Sequence, residues 1–148
     1  MSDGNLLLTL RQINICLGLY ESEKLVASEM TFAQAFLLNE IFTTDSSCIC
    51  STGLCERVGF TRSSISRTLK ELRKNGYIKM EMDKDDNRKK HIILTPKAYA
   101  AEGLVRNYIE NLNGCLVQKI PKHSLEGLET GLRTILGNIQ QGTLRRTV

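Results

Sequence analysis

Thr61-Arg62-Ser63-Ser64-Ile65-Ser66-Arg67-Thr68-Leu69-Lys70-Glu71-Leu72 is followed closely by Asp83-Lys84-Asp85-Asp86-Asn87-Arg88-Lys89-Lys90. In the first stretch Ile65, Leu69 and Leu72 recur at helical spacing and make one apolar stripe. Arg62, Ser63, Ser66, Arg67 and Lys70 are left outward, Ser64 sits near the boundary, and Thr61 opens the helix. The second stretch lies between two β-prone segments, Tyr77 to Met82 and His91 to Leu94, and reads as a charged hairpin tip. A helix with a face of hydroxyls and cations, next to a basic hairpin, predicts a reader of double-stranded DNA.

The charge distribution points the same way. From Thr61 to His91 there are ten cations against five anions, a net of +5, whereas the whole chain carries +4. The positive field is therefore confined to the predicted reading elements. Evenly spread basicity would imply only solubility; clustering implies a polyanion docked on one face.

A chain of 148 residues is read as a single domain, 1–148, large enough to bury a core without disulfides or metal. No apolar run approaches the roughly twenty residues that span a membrane, and no signal-peptide pattern opens the chain. A soluble, cytoplasmic protein is expected, with its five cysteines mostly reduced.

Working outward, Leu6, Leu10, Ile13, Leu17 and Tyr20 alternate at four and three residues. Ile15, Cys16 and Leu19 widen that stripe, which predicts a first helix buried on much of its circumference. Glu21 to Met30 reads as a polar connection. Thr31 is a helix cap for Phe32 to about Phe42, with Phe32, Phe36, Leu37 and Ile41 inward. Cys48-Ile49-Cys50 is a short β-prone piece, and Ser51 caps a third helix that ends at Gly59. Asn75-Gly76 stops the fourth helix, because both residues tolerate the left-handed conformation of a helix terminus. Thr95-Pro96 opens a fifth helix, with the hydroxyl as cap and proline in the first turn. Leu104, Tyr108, Leu112 and Cys115 recur along it, and Pro121 breaks it. Leu125, Leu128, Leu132, Ile135 and Ile139 form the stripe of a last helix.

The resulting order is helix, helix, short strand, helix, recognition helix, two-stranded wing and two further helices. This chain resembles the MarR family of winged helix-turn-helix transcription regulators over nearly its whole length. The most specific match is Asp83 to Lys90 followed by Leu94-Thr95, together with the exit Leu72 to Ile78 containing Gly76. Two positions depart from the family pattern: Asn87 stands where a second arginine is common, and Ala98 where a glycine is common. The resemblance implies a mainly α fold with a small β-wing. A winged core at about 31–95 is flanked by dimerisation helices at about 5–20 and 96–141.

The same resemblance implies a set of DNA-contacting residues. Arg62 and Arg67 can reach base edges or phosphates from the major groove, where an arginine bidentate to guanine discriminates by about 1–3 kcal/mol. Ser63, Ser64 and Ser66 are small enough for close approach, with hydroxyls for phosphate or base. Thr61 and Lys70 complete the helix face, and the start of the third helix at Ser51 offers backbone amides to a phosphate. In the wing, Arg88 is directed at the backbone or minor groove, with Lys84, Asn87, Lys89 and Lys90 beside it and Asp86 holding the hairpin in shape.

The first helix and the last two carry more apolar surface than a three-helix winged core can bury. In the family such helices interlock two protomers, placing two recognition helices about one DNA turn apart. The expected partners are thus a second copy, a palindromic duplex, and an effector that is either a small molecule or an oxidant.

Cys16-Leu17-Gly18-Leu19-Tyr20, after Gln12, resembles the first-helix segment of the organic-peroxide-sensing branch. Cys16 and Tyr20 are therefore candidate redox-sensing residues, with interface packing as the other reading. That branch also carries tyrosines at the start of the second helix, where this chain has Phe32 and Ala35. Cys48, Cys50 and Cys55 lack the spacing of a zinc site, and His91 and His123 lie far along the chain, so neither metal nor cofactor is expected. Without a glycine-rich phosphate loop or a His-anchored triad, an enzyme is not expected either. The competing reading is a winged helix used only for protein contacts, for which an apolar or mixed surface would be expected in place of the +5 segment.

Overall fold

The computed structural model describes residues 3–21, 23–25, 29–44 and 51–142. Its elements, in order, are α1 (Asp3–Leu19), α2 (Phe32–Thr43), α3 (Ser51–Val58), α4 (Arg62–Lys74), β1 (Ile78–Met82), β2 (Lys90–Leu94), α5 (Pro96–Leu116) and α6 (Lys122–Gln140). They divide into two compact units, Met1–Ile109 and Glu110–Val148, with α5 passing from one to the other.

Capping side chains set the helix boundaries of the first unit. The Thr31 hydroxyl accepts the Gln34 amide while the Gln34 side chain accepts the Thr31 amide, a reciprocal capping box at the start of α2. Thr61 caps α4 by accepting the Ser64 amide. The other end of α4 closes in a Schellman arrangement: the Tyr77 amide donates to the Leu72 carbonyl at 2.9 Å and the Gly76 amide to Arg73 at 3.1 Å. Gly76 has φ +81°, which glycine adopts without a Cβ penalty.

The core forms where these elements meet. Leu37, Leu38 and Ile41 of α2, Leu54 of α3, Ile65, Leu69 and Leu72 of α4, Ile78 of β1, Ile92 of β2 and Ala98 and Val105 of α5 are buried together. Helices α2 and α3 pack on α4, and α4 packs on β1. The two strands are antiparallel, in register from Ile78 opposite Leu94 to Met82 opposite Lys90.

Thr95 fastens the wing to α5. Its buried hydroxyl donates to the Gly76 carbonyl at 2.6 Å, lies 3.0 Å from the Tyr77 carbonyl, and accepts the Ala98 amide at 3.3 Å. Thr95→Val keeps the shape but leaves buried groups unpaired, so it should lower stability by about 1–3 kcal/mol. A urea midpoint with unchanged slope, shifted by that amount, checks it.

Several elements differ from the sequence expectations. Within α1, every residue from Asn5 to Leu19 except Leu10 is exposed, including Leu7, Leu8, Ile13, Ile15 and Leu17. An apolar stripe announces that a surface will be covered, but the winged core does not cover this one. The connection after α1 is not simply polar, because Leu25 and Met30 enter the core and Lys24 bridges to Thr31. Ser51 is the first residue of α3 rather than a residue preceding it. On α5 the buried positions are Ala98, Val105 and Ile109, while Leu104 and Cys115 are exposed. Of the expected stripe only Tyr108 packs against the core, partly buried beside the buried Val105 and Ile109. In the second unit, α6 buries none of its residues; Leu128, Leu132, Leu136 and Ile139 are all exposed. Cys48-Ile49-Cys50 lies outside the described residues.

Candidate nucleic-acid interface

Burial of Ile65, Thr68, Leu69 and Leu72 fixes the rotation of α4 about its axis. Arg62, Ser63, Ser66, Arg67 and Lys70 are consequently turned outward and exposed, as are Arg73 and Lys74 in the last turn. Thr61 is also exposed, with its hydroxyl 3.2 Å from that of Ser63.

Ser64 is the exception. It is half-buried and its hydroxyl donates to the Glu21 carboxylate at 3.2 Å, so it tethers α4 to the segment after α1. A second tether runs from the Gln34 side-chain amide to Glu71 at 3.0 Å. Neither tether was legible in the sequence, because each joins residues more than thirty-five positions apart.

In the wing, Lys84, Asn87, Arg88, Lys89 and Lys90 are exposed, and the turn beneath them is held by carboxylates. The Asp86 carboxylate accepts the Arg88 amide at 3.0 Å, and its carbonyl accepts the Lys89 amide at 3.0 Å. Asp83 accepts the Asp85 amide at 2.8 Å with one carboxylate oxygen and takes His91 Nε2 at 2.8 Å with the other. The Asp85 amide, followed by the His91 contact, holds the Asp83 carboxyl below the usual carboxylate range. Sequence reading passed over Asp83 and His91 as a pair; their approach depends on the strand register, which no spacing rule supplies.

Arg88 and the wing lysines form no ion pair among the described residues, and neither do the cations of α4. Free, exposed cations on a rigid helix and a braced hairpin are suited to phosphates and base edges. The remaining candidates lie elsewhere. Cys16 and Tyr20 are exposed at the C-terminal end of α1, and Cys16 is a free thiol. Cys55 lies in α3, whereas Cys48 and Cys50 fall outside the described residues. Among the described residues no group of His, Cys, Asp and Glu could hold a metal ion, and no helix is long and apolar enough to cross a membrane.

A capped helix pair, an exposed basic helix and a two-stranded hairpin define a winged helix-turn-helix. Residues 30–98 match the family model of the winged helix DNA-binding domain. The fold of the chain is that of MarR-family regulators. It is similar to a MarR protein from Peptoclostridium difficile (TM-score 0.79, 15% identity, 97% of this chain and 92% of that one). It is also similar to MepR of S. aureus in its DNA complex (TM-score 0.76, 18% identity, 88% of this chain and 95% of that one). In sequence it is 34% identical over 74 residues to the HTH-type transcriptional regulator PrsX of Escherichia coli, covering 50% of this chain. The match spans 45% of that relative's length.

Proposed function

We propose that this chain is a cytoplasmic MarR-type transcription regulator that binds a roughly palindromic double-stranded DNA site as a homodimer. It acts as a repressor whose hold on DNA is modulated by a small ligand or an oxidant. The observation that carries the reading is the concentration of exposed, unpaired cations on α4 and the wing of a winged helix DNA-binding domain. In this reading Arg62, Ser63, Ser66 and Arg67 meet the major groove, with Thr61 and Lys70 at its edges. Ser51, at the start of α3, meets a phosphate, while Lys84, Asn87, Arg88, Lys89 and Lys90 follow the neighbouring backbone or minor groove. Ser64 contributes by positioning α4 through Glu21.

The exposed apolar residues of α1 and of α6 support a second copy as partner. Each of the two helices exposes leucines and isoleucines that association would remove from water. Two copies related by a two-fold axis would present two recognition helices to half-sites about one helical turn apart.

Fluorescence-anisotropy selection on a randomised duplex library tests the proposal, first with reductant and then with an organic hydroperoxide. Enrichment of a near-palindrome is expected. Loss of binding on oxidation, absent in Cys16→Ser, would assign the effector to that thiol. Binding indifferent to the oxidant would turn the search for the effector to small ligands. No enrichment and no salt-dependent binding would overturn the DNA-binding reading.

A further inference from the structure

We infer that Glu21 and Gln34 are positioning residues for base reading. From the junction between α1 and α2 they hold the recognition helix α4 at two points, in the orientation in which Arg62 and Arg67 meet a base pair. The consequence for DNA rests on the function proposed above; the two attachments themselves do not.

The junction is one braced piece. The Glu21 carbonyl accepts the Ala33 amide at 3.1 Å and the Glu23 carbonyl accepts the Phe32 amide at 2.8 Å, so the chain leaving α1 is bound to the first turn of α2. Gln34 belongs to that same turn, where its side-chain oxygen accepts the Thr31 amide. Its Nε2 donates to the Glu71 carboxylate at 3.0 Å, and the Glu21 carboxylate accepts the Ser64 hydroxyl at 3.2 Å. Ser64 lies in the first turn of α4 and Glu71 in the third. Two turns apart, they share one face of the helix, and both are half-buried.

These contacts add what the apolar stripe does not supply. Burial of Ile65, Leu69 and Leu72 turns one face of α4 inward, but apolar attraction is non-directional and by itself sets slide and roll only loosely. A hydrogen bond accepts a narrow range of length and angle, so two of them, two turns apart, fix both. The first turn matters most, because bases are read by the N-terminal residues of such a helix and helix ends fray. Ser64 is wholly committed to holding that turn. Its amide donates to the Thr61 hydroxyl at 3.2 Å, its carbonyl accepts the Thr68 hydroxyl at 2.8 Å, and its one hydroxyl hydrogen goes to Glu21. It has no hydrogen left for a phosphate. Glu21 and Glu71 both meet neutral donors, a hydroxyl and an amide. What each supplies is therefore an accepting oxygen, which a glutamine supplies as well.

The test is anisotropy on the full chain with two duplexes of equal length, the one enriched from the randomised library and a scrambled version of it. The ratio of the two affinities measures base reading. Glu21→Ala and Ser64→Ala should each lower that ratio about fivefold, the lower end of what one base-reading arginine discriminates. Affinity for the scrambled duplex should change by less than about twofold. The double variant should lose no more than either single one, because both break the same contact. Glu21→Gln should keep the wild-type ratio, and Glu71→Gln should keep what Glu71→Ala loses. In the free protein, amide protection at Ile65 to Arg67 should fall about threefold in Glu21→Ala and be retained in Glu21→Gln. Multiplied losses in the double variant would make Ser64 a direct DNA contact and overturn the inference. Equal ratios for Glu21→Gln and Glu21→Ala would overturn it too, by leaving the charge as what matters. If no duplex is enriched, the function proposed above falls, and the protection contrast decides the attachment alone: its presence upholds the contact and its absence overturns it.

Discussion

Leu72→Ala should lower stability by about 2–5 kcal/mol, the range for deleting a fully buried leucine from a core that relaxes only partly. Leu72 has no solvent exposure. It sits among Leu69, Ile78, Ile92 and other members of the core beneath α4, where a three-carbon deletion leaves a void. The same residue's carbonyl receives the Tyr77 amide and so takes part in ending the helix. Its side chain secures the rotation of α4, and with it the direction in which Arg62 and Arg67 point. Since domains of this size are stable by about 5–15 kcal/mol, the loss is a substantial fraction of the whole. Urea unfolding of Leu72→Ala beside Lys70→Ala measures it. Lys70 is exposed, and its replacement should shift stability by no more than about 0.5 kcal/mol. Equal midpoints for the two variants would mean that α4 is not packed on its Ile65–Leu69–Leu72 face.

That face was legible in the sequence because amphipathic spacing and capping chemistry are local. Thr31, Thr61, Gly76 and Thr95-Pro96 each sit where a helix must begin or end, and each does so in the structure. The basic face of α4 followed from the same stripe read in reverse. What sequence could not rank were surfaces with two apolar options. On α5, Leu104 and Val105 are neighbours, and nothing local says which of the two meets the core. On α1 the apolar width implied burial, yet burial depends on what is available to pack against it. Contacts between distant residues were hidden for a different reason. Ser64 with Glu21, Gln34 with Glu71 and His91 with Asp83 each need the tertiary arrangement before they exist.

Arg67→Ala and Lys89→Ala should weaken DNA binding in different ways, and the difference separates base reading from backbone contact. Both side chains are exposed and unpaired among the described residues, so neither substitution should disturb folding by more than about 0.5 kcal/mol. Arg67 lies mid-helix on the outward face of α4, where a guanidinium can meet a base edge with two parallel hydrogen bonds. Its removal should erase about 1–3 kcal/mol of discrimination at one base pair per half-site while leaving non-specific binding nearly intact. Lys89 lies at the wing tip, above a turn stapled by Asp83 and Asp86. An ammonium there is a point charge for phosphate, so its loss should weaken all duplexes alike and reduce the salt slope by about one. Anisotropy titrations against the selected duplex and its single-base-pair variants, between roughly 50 and 200 mM salt, resolve the two signatures. If Arg67→Ala changed only the slope and Lys89→Ala only the sequence preference, the roles of helix and wing would be exchanged. Wild-type binding by both would remove α4 and the wing from the interface.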